Sequence, residues 1–123
     1  MDGEISVDEL EALLAAGEDV RVVDIRQPAA FDRGHIPGSE NIPFSELPQS
    51  VDRLDGAERV VTVCPHGQAS VQAARLVQSY EGLAEDARVE SLAEGITGWE
   101  GEIEASERDD EGPDTESATD APF

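Results

Sequence analysis

Three β-branched runs, Val20-Arg21-Val22-Val23-Asp24-Ile25, Val60-Val61-Thr62-Val63 and Val89-Glu90-Ser91-Leu92, recur along the 123 residues with helix-patterned segments between them. Runs of this kind are strands buried on at least one side. Strands that alternate with helices through short links build parallel sheets covered by helices. The fold class expected is therefore α/β: a small open parallel sheet of about five strands with helices on both faces.

The helical segments are legible from their ends. Ser6-Val7-Asp8-Glu9 reads as a capping box, Leu10, Leu13 and Leu14 share one face, and Gly17 stops the helix. Gln27-Pro28 opens a second helical piece through Phe31, and the turn-rich Gly34-His35-Ile36-Pro37-Gly38 leads to a short extended segment, Glu40-Asn41-Ile42-Pro43. Leu47, Val51 and Leu54 have helical spacing within 45–54. Ala73, Ala74 and Val77 mark a helix from about Ser70, its expected cap, to Tyr80, with Gly82 as its breaker. Trp99 is expected to pack a terminal turn onto the body. The length suits one domain, residues 1–103, and the acidic, apolar-poor residues 104–123 are expected to form a disordered tail.

In sheets of this type, sites lie at the C-terminal ends of strands. Two groups fall there: Asp24 with Arg26, and Cys64 with Pro65-His66-Gly67-Gln68-Ala69-Ser70. A lone cysteine beside valines is commonly a small buried hydrophobe. The residues after Cys64 argue for a nucleophile instead: Pro65 ends the strand, Gly67 permits a turn that aims N–H groups inward, and a helix N-terminus comes next, an environment that favours thiolate. Asp24 and Arg26 are expected to support the loop through polar contacts. His66 is the loop's one potentially cationic side chain, divided between an exposed loop residue and an anion stabiliser, whereas His35 fits a turn-and-packing role.

Charge narrows the partners. The formal net charge is -21, all eight basic residues are arginine, and residues 1–99 hold 19 of the 29 acids with seven of the arginines, so the excess is not confined to the tail. Self-repulsion of that size is relieved where the Debye length is short, about 3 Å at 1 M salt, so a high-salt cytoplasm such as that of a halophilic archaeon is expected. The rival explanation is an acidic surface for a basic partner. Nucleic acid is excluded by like charge. One cysteine excludes a disulfide framework and a cysteine-rich zinc site, and neither a membrane-spanning run nor a signal-peptide pattern is present, which makes the cytoplasm the expected location.

Four stretches taken together resemble a known family: Val22-Val23-Asp24-Ile25-Arg26; Phe31-Asp32-Arg33-Gly34-His35-Ile36-Pro37-Gly38-Ser39-Glu40-Asn41-Ile42-Pro43; Cys64 through Ser70 followed by Ala73-Ala74-Leu76; and Leu92 to Trp99. In this order they resemble the single-domain rhodaneses, a sulfurtransferase family. The resemblance implies that Cys64 attacks a sulfane sulfur donor such as thiosulfate and becomes a persulfide cradled by the N–H groups of residues 65–70. The outer sulfur then passes to a thiol, cyanide or a sulfur-relay protein, with no metal or cofactor. Two departures stand out. Members of the family commonly carry basic residues in the loop where this chain has Pro65 and Ala69, which predicts weak binding of a dianion such as thiosulfate. Glu94 also replaces a usual glycine. Two other readings compete: a catalytically weak rhodanese-like binding module, and a phosphatase or arsenate reductase on the related fold. The last lacks the loop arginine it needs, because Ser70 occupies that position.

Overall fold

The structure is a computed structural model that describes residues 3–101 and 103–105. It contains five strands, β1 (Glu4–Ile5), β2 (Arg21–Asp24), β3 (Glu40–Asn41), β4 (Arg59–Val63) and β5 (Arg88–Leu92), and four helices, α1 (Val7–Ala15), α2 (Pro28–Arg33), α3 (Leu47–Ser50) and α4 (Ala69–Gln78). The strands form one parallel sheet in the order β1-β5-β4-β2-β3. From β2 the chain leaves toward β3, and from β4 it leaves in the opposite direction toward β5. The crevice outside the C-terminal ends of β2 and β4 is thus the point where strand order reverses, the place such sheets use for sites.

Strand periodicity divides the core. On one face Val23, Ile25, Val60, Cys64 and Val89 pack with Leu47, Leu54 and the Ala73, Ala74 and Val77 stripe of α4. On the other, Ile5, Val22, Val61, Val63 and Leu92 pack with Leu10, Leu13 and Leu14 of α1, joined by Ile36, Ile96 and Trp99. Helices therefore cover both faces, and the tryptophan closes the terminal turn against α1 as its sequence context predicts. Ser6 caps α1 through the full capping box, with its hydroxyl accepting the Glu9 N–H at 3.1 Å, and Gly17 follows the helix at φ 76°.

One strand is added and two expectations change. The first strand, β1, pairs with β5 ahead of α1 and is too short to carry a sequence pattern. The helix read over 45–54 is broken into a 3-10 turn (Phe44–Glu46), α3 and a second 3-10 turn (Val51–Leu54). Pro48 lies in the first turn of α3, where its missing N–H costs nothing, and the buried Leu47 and Leu54 keep the expected core positions. Ser70 does not cap α4: the N-cap is Gln68, which makes no side-chain capping bond, and Ser70 is buried inside the first turn.

Arginine forks pin the sheet laterally. Arg21 holds Glu40 through two bonds of 2.7 and 3.0 Å, tying β2 to β3, and Arg59 holds the buried Glu90 at 2.9 and 3.2 Å, tying β4 to β5. His35 is buried with its ring stacked on Phe31 at 3.8 Å, its Nδ1 2.8 Å from the Phe31 carbonyl, and its backbone N–H and C=O both paired with Glu104 at 2.8 Å. Glu104 is thereby held against the domain, while residues 106–123, the remainder of the expected tail, lie outside the described residues. Among the described residues, no helix is long and apolar enough to cross a membrane.

Candidate active site

β4 delivers Cys64 to the C-terminal edge of the sheet, 2% exposed and on the face covered by α4. The chain then has to turn back over the sulfur within a few residues. Gly67 makes that turn at φ 81°, and a Cβ on it would fall onto the Ala93 carbonyl, so both conformation and space demand glycine. The opposing loop is shaped the same way. Gly95 has φ 70°, and its Cβ would meet the carbonyls of Pro65 and Cys64. The two loops are stitched together: the Ile96 N–H donates to the Cys64 carbonyl at 2.9 Å, and Thr97 donates to the Pro65 carbonyl through its N–H at 3.2 Å and its hydroxyl at 2.9 Å.

This frame aims donors at sulfur. The N–H groups of Gly67 and Ser70 donate to Cys64 Sγ at 3.1 and 3.3 Å, and the Ser70 hydroxyl oxygen lies 3.4 Å from it. Burial pushes the thiol pKa up. That effect is outweighed by the Ser70 hydroxyl and by the N–H groups of Ser70, His66 and Gly67, so the net displacement is downward, toward thiolate. A sulfur anion held by backbone dipoles at a helix N-terminus is a nucleophile whose charge needs no cationic side chain.

The remaining predicted residues fall into two groups. Pro65, His66 and Gln68 are exposed at the rim, Ala69 is half-buried, and Gly67 and Ser70 are buried beneath them. His66 Nδ1 lies 3.5 Å from Thr97 Oγ1. Asp24 and Arg26 occupy the neighbouring strand end, with Asp24 in register with Val63, and their side chains bond to each other, Arg26 donating also to the Gly34 carbonyl. Arg26 is a fork on Asp24 with contacts of 2.8 to 3.1 Å, and its remaining bond, 2.7 Å, goes to the Gly34 carbonyl. The pair braces the β2 turn and the Gly34 link. Glu94 accepts the Val7 N–H at 3.1 Å, which anchors the first turn of α1 to the loop after β5.

Sequence reasoning passed over Ser91 and Thr97. Ser91 is fully buried on β5 with its hydroxyl 2.6 Å from that of Ser70, and a serine two residues after Val89, on the same face of the strand, was a usable signal. Thr97 carries no signal of its own, because its role depends on two loops meeting.

The rhodanese-like domain model matches residues 6–102, nearly all of the described chain. The chain belongs to the rhodanese-like domain family. Among its relatives, the protein named sulfurtransferase of Allochromatium vinosum is 37% identical over 80% of this chain and 89% of its own length. The thiosulfate sulfurtransferase GlpE of Pseudoalteromonas translucida is 34% identical over 68% of this chain and 75% of its own. The chain spans about half, 52%, of another relative, a putative sulfur carrier protein of Bacillus subtilis. The solved human single-domain sulfurtransferase TSTD1 superposes with a TM-score of 0.64 at 29% identity, covering 78% of this chain and 93% of that one. This rhodanese-like domain is thus similar in sequence and architecture to sulfurtransferases.

Proposed function

We propose that this rhodanese-like domain is a sulfurtransferase that carries sulfur as a persulfide on Cys64. The observation that supports the reading best is the convergence of the Gly67 and Ser70 N–H groups and the Ser70 hydroxyl on one buried sulfur. The Cys64 thiolate attacks the outer sulfur of a sulfane donor. The new S–S bond forms as the donor's S–S bond breaks, and the donor's inner sulfur leaves with the electron pair, as a thiolate, or as sulfite when thiosulfate is the donor. An acceptor thiolate or cyanide then attacks the outer sulfur, and Cys64 departs as thiolate. Both steps balance without an added oxidant or reductant. The outer sulfur is an anion seated among the loop residues Pro65, His66, Gly67, Gln68, Ala69 and Ser70, whose backbone dipoles stabilise it.

The charges near the loop select the donor. Arg26, at the adjoining strand end, is held by Asp24; Arg21, Arg59 and Arg88 lie at the opposite, N-terminal ends of their strands, and the loop itself offers only His66 as a cation. A small dianion would approach a net-negative protein through a loop whose own residues include no guanidinium, so a low-charge organic persulfide or organic polysulfide is the better donor and thiosulfate the poorer. The acceptor is a thiol, cyanide or a relay protein in a high-salt cytoplasm. Thiocyanate formation from cyanide with each donor in turn tests this. The reading expects turnover abolished in Cys64→Ser, at least tenfold higher from an organic polysulfide than from thiosulfate at equal concentration. The rate of sulfur uptake should rise with pH and level off below the range of a free cysteine thiol, because the folded loop lowers the thiol pKa. Thiosulfate equal to or better than polysulfide would overturn the donor assignment.

A further inference from the structure

We infer that Ser91 is a positioning residue that acts through Ser70 to bias Cys64 toward the thiolate, an inference that rests on Cys64 being the sulfur carrier. Thr62, Cys64 and Ser91 lie under the first turn of α4 against a layer of valine, isoleucine, leucine and alanine, and Ser70 descends into it from α4. Ser70 and Ser91 are both fully buried, so each hydroxyl proton must find an acceptor or cost free energy. The hydroxyl oxygens are 2.6 Å apart, and among the described residues Ser70 Oγ is the one hydrogen-bond partner of Ser91 Oγ. Thr62 is not a competitor, since its hydroxyl donates to the Ser70 carbonyl at 2.7 Å.

Counting protons sets the direction of this chain. If Ser70 donated to Ser91, the Ser91 proton would be buried without an acceptor. With Ser91 as donor, the Ser70 proton is free to point at Cys64 Sγ, 3.4 Å away. The run Ser91 O–H to Ser70 O–H to S⁻ is then head to tail, and each bond polarises the next. The neutral thiol joins such a run less well. An S–H donating to Ser70 can use the second lone pair of its oxygen but leaves the Ser70 proton unplaced, and a thiol sulfur accepts that proton more weakly than a thiolate does. The arrangement therefore favours the anion, in addition to the two backbone N–H groups.

The test is the ultraviolet absorbance of the thiolate as a function of pH, with Cys64→Ser subtracted to remove Tyr80; this chain has one cysteine, so the signal is Cys64 alone. Ser91→Ala should raise the apparent thiol pKa by about 0.4 of a pH unit, roughly 2.5-fold in the thiolate-to-thiol ratio. Ser70→Ala should raise it further, and in the Ser70→Ala background the Ser91→Ala effect should vanish. An unchanged titration in folded Ser91→Ala, or a Ser91→Ala effect that persists without the Ser70 hydroxyl, would overturn the relay. Sulfur loading of the wild type is measured separately, so a failure of the carrier reading leaves a distinct signature: coupled titrations with no sulfur bound.

Discussion

Gly67 meets two demands at one residue. Its backbone lies at φ 81° and its missing side chain leaves room for the Ala93 carbonyl, while its N–H points at Cys64 Sγ. Gly56 is a control within the same molecule, with φ 79° and open space where a Cβ would go. Gly56→Ala should therefore cost only the left-handed conformation, about 1–2 kcal/mol. Gly67→Ala must also push the loop off Ala93, so it should be the more destabilising in urea and should return the Cys64 pKa toward its ordinary value. Equal losses of stability with an unchanged thiol titration would show that the loop is not clamped as described. The Cys64 titration also has a stability consequence of definite sign. Because the folded thiol pKa is lowered, the native state binds fewer protons than the unfolded chain between the two values, so the thiolate contributes stability above the unfolded pKa that is lost as pH falls through the folded one.

At the scale of elements, legibility in the sequence depends on how far each signal extends. The valine runs and the α1 capping box are local and strong, and β2, β4, β5 and α1 lie where those residues put them. β1 has two residues and exists through pairing with β5, an interaction between residues 4–5 and 91–92 that no local pattern records. The 45–54 segment kept its buried leucines but not its regular helix, since burial follows side-chain spacing while backbone bonding yields to proline and to the short span available. The cysteine loop was legible because proline, glycine and a following helix are local cues. Its closure by Gly95 and Thr97 was not, and neither was the Ser70–Ser91 contact, because each joins segments separated by more than twenty residues. Ser70 shows the limit most clearly: a serine ahead of a helix suggests a cap, yet packing turned its hydroxyl inward to sulfur and Ser91.

For the molecule as a whole, charge opposes folding at low ionic strength. A formal net charge of -21 on 123 residues repels itself throughout, while the arginine pairs that salt would weaken are few and partly exposed. Shortening the Debye length from about 10 Å at 0.1 M to about 3 Å at 1 M removes more repulsion than attraction. The urea midpoint should therefore rise steadily between those concentrations of potassium chloride, and a midpoint highest at low salt would contradict the high-salt reading and favour a basic partner for the acidic surface. The central claim remains chemical, and intact mass spectrometry tests it most directly. Protein folded in high salt is incubated with thiosulfate, polysulfide or mercaptopyruvate, alongside Cys64→Ser. The account predicts an adduct of about 32 Da that requires Cys64 and is discharged by cyanide or a thiol. Folded wild-type protein that takes up no sulfur from any donor, or an adduct that survives in Cys64→Ser, would contradict it and leave this rhodanese-like domain as a binding module.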